Sequence, residues 1–187
     1  MLRTNQAFLS YFEELYHKQE GKEEVVLKSF CRDEDILAQD QPLSKVMLIK
    51  EGIAKCYFTE ENGKEYIVEF LGNGEILGEV ELIKNISCLC GVKAISEVIV
   101  YETSISSFKS LIKNDLSLNH LLLDSFAERI INTSSRASYQ QLYTVEHTVT
   151  QLLNMQSQQG VHISKEDMAA YLGITVRSLN RILKDLK

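Results

Sequence analysis

A chain of 187 residues with 44% hydrophobic and 25% charged side chains and a net charge of −6 has the composition of a globular soluble protein, with length enough for one large or two small domains. The charge is uneven, since residues 1–115 hold 13 Lys and Arg against 20 Asp and Glu, whereas residues 116–187 hold 7 against 6. So weak a basicity excludes indiscriminate coating of nucleic acid, and no apolar run nears the roughly 18–20 residues that cross a bilayer, so a cytoplasmic protein without a membrane partner is expected.

Phe8, Phe12 and Leu15 fall at helical spacing and predict an amphipathic helix packed on the body of the protein. Glu13 and Glu14 interrupt this opening segment and argue against a membrane anchor. From Val25 to Tyr101 short apolar runs alternate with glycine, acidic and amide turns. Residues 46–50, 53–58, 66–71 and 98–101 have strand length and strand composition. Asn62-Gly63 lies between the second and third runs and predicts a tight type I′ hairpin. With Gly72, Gly74 and Gly78 clustered beyond it, the region reads as a small antiparallel barrel or roll. Cys31, Cys56, Cys88 and Cys90 read as reduced, buried thiols in a cytosolic chain. At strand spacing Cys88 and Cys90 would share a face of the sheet, which leaves a haem or thiol sensor open.

Residues 116–142 contain neither Pro nor Gly and take a helical period. Leu116, Leu123, Ile130 and Ala137 recur every seven residues, with Phe126 and Thr133 at the intermediate position of the same seam. Such a helix either covers its own roll or pairs with its twin. Leu118, Leu121 and Leu122 form a second apolar side that one partner would not cover, which favours the dimer. A further helix over residues 144–158, carrying Val149, Leu152 and Leu153, leads through Gly160 into the C-terminal segment.

That segment reads as a helix-turn-helix. Ser164 can cap a short helix bearing Met168, Ala169 and Leu172, Gly173 ends it, and Thr175 can cap a second helix. On the second helix Leu179, Ile182, Leu183 and Leu186 lie on one face and Arg177, Arg181 and Lys184 on another. A helix fits the DNA major groove, where an Arg fork donates two hydrogen bonds to guanine and contributes roughly 1–3 kcal/mol of discrimination. Arg177 and Arg181 are the candidate base readers. Ser178, Lys184 and the N-terminal amides at Thr175 suit phosphate, and Val176 could touch a thymine methyl or pack. The joint spacing of Ala169, Gly173, Leu179 and Ile182 favours this reading over an ordinary helical hairpin with a basic face.

A glycine-punctuated acidic roll, a long helix and a C-terminal helix-turn-helix, in that order, resemble the CRP/FNR superfamily of bacterial transcription regulators. The resemblance spans nearly the whole chain. It is carried by GIAKCYFTEENGKEYIVEFLGNGEILGEVELI, with Gly52, Gly63, Gly72, Gly74, Gly78 and Glu79 in the order of the family's Gly-Glu signature, and by ISKEDMAAYLGITVRSLNRILKDL, where Arg181 matches a base-reading arginine. It implies an α+β chain: a sensory β-roll with its N-terminal helix over residues 1–115, a dimerisation helix over 116–142 and a DNA-binding domain over 143–187. It implies a homodimer on a palindromic duplex, with recognition helices about 34 Å apart, and admits RNA polymerase as a partner. The dimer seam would use Leu116, Leu123, Phe126 and Ile130, and the effector pocket Gly78, Glu79, Cys88 and Leu89.

Three departures qualify the resemblance. Cyclic-nucleotide sensors of the family hold phosphate with an Arg-Ser pair shortly after Gly-Glu, but here the stretch runs Lys84-Asn85-Ile86-Ser87-Cys88-Leu89-Cys90, with no arginine between Arg32 and Arg129. A buried phosphate without its cation loses a charge-assisted pair of order 2–5 kcal/mol, and Lys84 or Lys93 would be only a point charge, so the effector is open and cyclic AMP disfavoured. No cysteine group precedes Cys31, which argues against an iron–sulfur cluster. Val176 and Arg177 replace the family's best-known reader pair, and the sequence stops at Lys187 before a wing, so a truncated DNA-binding domain with a different target site is expected.

An enzyme of the cupin type would need histidine ligands inside the roll, yet His17, His120, His147 and His162 all lie outside it, so neither catalytic nor metal residues are expected. The competing reading is a ligand-binding or redox-sensing module that acts through protein partners without reading DNA sequence.

Overall fold

Alternation of side chains along a strand gives a sheet two faces, and in this chain both faces of two sheets are apolar. The computed structural model describes residues 2–19 and 24–186. In chain order it runs β1 (Leu2–Arg3), α1 (Gln6–Lys18), β2 (Val25–Phe30), β3 (Asp35–Leu37), β4 (Lys45–Glu51), β5 (Ala54–Thr59), β6 (Glu65–Leu71), β7 (Ile76–Leu77), α2 (Glu79–Lys84), β8 (Gly91–Ala94) and β9 (Val98–Ser104), and continues through α3 (Ile105–Asn114), α4 (Leu116–Leu142), α5 (Val145–Gln159), α6 (Lys165–Leu172) and α7 (Val176–Asp185). The result is an α+β chain in which a β-roll precedes a helical C-terminal part. One sheet has the order β1-β6-β5-β8-β3 and the other β2-β9-β4-β7. All pairings are antiparallel except β1 with β6.

Three apolar clusters follow from the alternation. Between the sheets lie Met47, Ile49, Leu71, Val92, Val98 and Val100. The opposite face of β4 carries Val46 and Leu48, which pack with Tyr101 against Phe8 and Phe12 of α1, Phe108 of α3 and Leu118 and Leu122 of α4. On the outer face of the five-stranded sheet, Tyr57, Ile67, Phe70 and Ile95 share a cluster with Val149, Leu152, Ile163, Met168, Ala169, Leu179 and Ile182. The C-terminal helices therefore dock on the roll and complete a core with it.

Every helix except α2 starts at a side-chain cap, with Asn5, Ser104, Asp115, Thr144, Ser164 and Thr175 each accepting a backbone N–H. Asp115 separates α3 from α4: its carboxylate accepts the N–H groups of Ser117 (2.8 Å) and Leu118 (3.2 Å) and the hydroxyl of Tyr11 (2.8 Å). The Tyr11 hydrogen bond is the main reason that the Asp115 carboxyl lies below the ordinary range.

The sequence expectations need four corrections here. The hairpin at Asn62-Gly63 is not type I′, which requires positive φ at both residues, because only Gly63 has it (74°). Gly63 N–H donates to Glu60 O (2.8 Å), Glu60 N–H to Lys64 O (3.0 Å), and the Asn62 side chain accepts Lys64 N–H (3.0 Å). The extra residues give a wider turn that still pairs β5 with β6. Phe126 is half-buried against the α1/α3 cluster, so it lies at the margin of the proposed seam. Leu186 is 47% exposed and does not join Leu179 and Ile182 in the core. Cys88 and Cys90 do not alternate on a strand, since both precede β8; Cys88 is buried between the sheets.

Candidate functional site

The recognition-helix candidate is built by local signals. Ser164 Oγ accepts Asp167 N–H (3.0 Å), Gly173 ends α6 in the left-handed conformation, and Thr175 Oγ1 accepts Ser178 N–H (3.1 Å) to start α7. Leu179 and Ile182 are buried, which turns Arg177, Arg181 and Lys184 outward, all exposed. Thr175 is exposed and Val176 half-buried against the docking cluster. The Ser178 hydroxyl lies 3.0 Å from Thr175 Oγ1 and is thus engaged in the cap. Asn180, missed in the sequence reading, is exposed on the same helix and accepts from Lys165 Nζ (2.9 Å), tying α6 to α7.

A second site lies inside the roll. A cavity of about 180 Å³ is lined by Gly78, Glu79, Glu81, Leu89 and Cys90 on one side and by Arg129 and Thr133 of α4 on the other. Of the four pocket residues expected, Gly78, Glu79 and Leu89 line it; Cys88 faces the intersheet core, and Cys56 and Cys90 supply the thiols at the cavity. Gly78 has φ 88°, and a Cβ there would sit 2.7 Å from Leu43 Cδ1 and 3.1 Å from Lys45 O, so the chain can enter α2 this closely only with glycine.

Glu79 is 1% exposed and pairs with Arg129, whose second nitrogen donates to Ile76 O (3.0 Å). Burial raises the Glu79 carboxyl above its ordinary range, and the Arg129 charge limits the rise. Burial alone would weaken the Arg129 charge, but Glu79, Glu75 and Glu69 overcome it and hold the guanidinium protonated. Arg3 contributes a second cation, 2.7 Å from Glu69 and 2.9 Å from Glu75. The Glu75 contact lies off the N–H direction, so it is an ionic contact without a directed hydrogen bond. Glu81 faces the cavity as well, and its Oε1 accepts the N–H of Leu89 (3.1 Å), a donor of the loop that runs from Lys84 to Cys90.

Two further cations join the roll to the C-terminal helices. Lys55 Nζ lies 2.7 Å from Asp167 of α6 and 2.9 Å from Glu65. Arg136 of α4 donates to the carbonyls of Ile67 (3.0 Å), Val68 and Tyr171, with its guanidinium 3.9 Å from the Tyr171 ring centroid and 5.1 Å from that of Tyr66. The helix α4 thereby touches the cavity of the roll through Arg129 and the helix-turn-helix through Arg136. Neither arginine has a sequence signal beyond being a cation on the flank of an apolar seam.

On α4 the seam residues Leu116, Leu123 and Ile130 are 69%, 66% and 67% exposed, whereas Leu118 and Leu122 are buried on the roll. Among the described residues no helix is long and apolar enough to cross a membrane, and no group of three or more His, Cys, Asp or Glu is arranged to hold a metal ion.

Residues 27–115 match the cyclic nucleotide-binding domain family. With the roll, the long helix and the docked helix-turn-helix described, the structure superposes on the c-di-GMP-responsive global regulator CLP of Xanthomonas campestris with a TM-score of 0.75 at 17% identity, covering 97% of this chain and 89% of that one. The chain has the fold of the CRP/FNR regulators. In sequence it is similar to the cAMP-activated global transcriptional regulator CRP of Pasteurella multocida, 27% identical over 75% of this chain and 72% of that protein. It is also similar to the regulatory protein YeiL of Escherichia coli, 26% identical over 82% and 71%. Within this CRP/FNR fold the described C-terminal helices supply the exposed cationic face and the roll supplies the cavity, with α4 between them.

Proposed function

We propose that the chain is a homodimeric, DNA-binding transcription regulator that works in the cytoplasm, with residues 1–115 as its sensory unit, 116–142 as its dimer helix and 143–187 as its DNA reader. The observation that carries the reading is α7. Its capped start at Thr175, its buried Leu179 and Ile182 and its exposed Arg177, Arg181 and Lys184 make a rigid rod with one cationic face, the shape and charge the major groove accepts. Arg177 and Arg181 read bases, and Lys184 and the amides at Thr175 hold phosphate. The exposed line of Leu116, Leu123 and Ile130 supports the twin-helix seam that sets two such rods side by side.

The same reading disfavours cyclic AMP as effector. A nucleotide phosphate needs a free cation; Arg129 is held by Glu79 and Ile76 O, and Glu81 already accepts the loop N–H at Leu89. Glu69, Glu79 and Glu81 around the cavity repel an anion, and about 180 Å³ is small beside the roughly 300–1,000 Å³ of common ligand pockets. Titration calorimetry with cyclic AMP is expected to give no binding at millimolar nucleotide. For the DNA reading, the test is Arg177→Ala with Arg181→Ala, measured by fluorescence anisotropy on duplexes enriched from a random pool by repeated binding. Loss of affinity with the dimer intact is the expected result, and unchanged affinity would sink the assignment.

A further inference from the structure

The four thiols are not equivalent. Cys31 is exposed on the surface, and Cys88 is buried between the sheets. Cys56 and Cys90, 34 residues apart, bring their sulfurs to 2.8 Å. The β5–β8 ladder explains why they meet. Cys56 pairs with Val92 and Tyr57 with Gly91, the first residue of β8, so the chain enters β8 beside Cys56 with Cys90 immediately before the ladder. Both cysteines line the cavity, together with Leu89 and Arg129.

We propose that Cys56 and Cys90 are a reversible dithiol–disulfide site in the roll, oxidised by a hydroperoxide that enters the cavity. The inference is independent of the DNA and nucleotide readings above. A disulfide has an S–S bond of about 2.05 Å, so closing the pair requires an approach of about 0.75 Å. Cys90 belongs to the segment before β8 and is not held in the ladder, whereas Cys56 is fixed within β5, so the approach falls to Cys90. Both side chains are half-buried and line a cavity open to a molecule of peroxide size. Cys56 is fixed within β5, with its thiol pushed up by the hydrogen bond with Cys90 and by burial, whereas Cys90 lies outside the ladder at the cavity wall, so the first attack is assigned to Cys90.

In the first step the Cys90 thiolate attacks the O–O bond. An S–O bond forms, the O–O bond breaks, and the departing alkoxide leaves as the alcohol after taking a proton. In the second, Cys56 Sγ attacks the sulfenic sulfur; the S–S bond forms, the S–O bond breaks, and hydroxide leaves as water with the proton of the Cys56 thiol. Two thiols lose their hydrogens and the hydroperoxide becomes alcohol and water. An external dithiol restores the pair by exchange through a mixed disulfide.

The test uses the full chain, reduced, freed of reductant and exposed to hydrogen peroxide, followed by alkylation under denaturing conditions and non-reducing peptide mapping. The expected product has lost two hydrogens, keeps Cys31 and Cys88 alkylatable, contains a cross-linked peptide pair bearing Cys56 and Cys90, and reverts with dithiothreitol. Cys31→Ser should form the cross-link at the wild-type rate. Cys56→Ser should instead accumulate a sulfenic acid at Cys90 that dimedone traps. The proposal fails if Cys56 and Cys90 both remain alkylatable after oxidation, or if the only cross-link joins two chains through Cys31. Should either serine variant fail to fold, the wild-type peptide map decides alone.

Discussion

Replacing Arg129 by Met tests the electrostatic centre of the roll. The substitution keeps the aliphatic stem but removes the partner of a carboxylate that is 1% exposed, together with the donor to Ile76 O. Breaking a buried ion pair from one side costs about 3–5 kcal/mol, because the remaining charge stays desolvated. The Arg129 side chain is itself 23% exposed, so water can reach the site and the expected loss is nearer about 2–3 kcal/mol. At about 2–4 °C per kcal/mol for a protein of this size, the melting temperature should fall by about 4–12 °C. The pH dependence carries the sign. Burial raises the folded-state pKa of Glu79, so its ionisation opposes folding and the cost grows as pH rises from the ordinary carboxylate range through the folded value. Removing Arg129 raises that folded value further. The deficit of Arg129→Met relative to wild type should therefore be small in acid and grow toward neutral pH, and Glu79→Gln in the same background should recover part of it. Urea unfolding of wild type, both single variants and the double variant at two pH values measures this. A pH-independent deficit, or single-variant effects that add with a coupling below about 0.5 kcal/mol, would refute the argument.

Arg136→Ala removes donors to three carbonyls and a guanidinium stacked between Tyr66 and Tyr171, so it should cost about 1–3 kcal/mol and speed hydrogen exchange in α6 and β6 ahead of the intersheet core; uniform exchange would show that it is no clamp. Gly78→Ala must adopt φ 88° against Leu43 and Lys45 and should lose about 1–3 kcal/mol in chemical unfolding. Leu123→Asp with Ile130→Asp alters two side chains that are mostly exposed in the single chain, so circular dichroism should stay folded while light scattering reports a monomer; a persistent dimer would place the seam elsewhere.

Much of the helix-turn-helix was legible because helix ends are decided locally. Ser164, Gly173 and Thr175 act on amides and carbonyls within a few residues of themselves, and the apolar period of α7 follows from helix geometry, so both helices could be placed from residue order alone. The same holds for α1 and for the start of α4 at Leu116. The turn at Gly63 shows the limit even at short range: the dipeptide signalled a hairpin, but its type depended on how many residues the β5–β6 register left between the strands. Helix α3 went unread because its apolar residues face a core formed by α1, β4 and α4.

The order of roll, long helix and helix-turn-helix was thus settled by the sequence alone, since each is written in spacing, caps and glycines. What only the tertiary structure decided is which distant groups face each other. Glu79 meets Arg129 across 50 residues, Lys55 meets Asp167 across 112, and Cys56, not Cys88, meets Cys90. A sequence fixes the chemistry of such groups, but their pairing depends on strand register and on which face of α4 lies on the roll. Those follow from burying all three apolar clusters at once, and so from the fold as a whole.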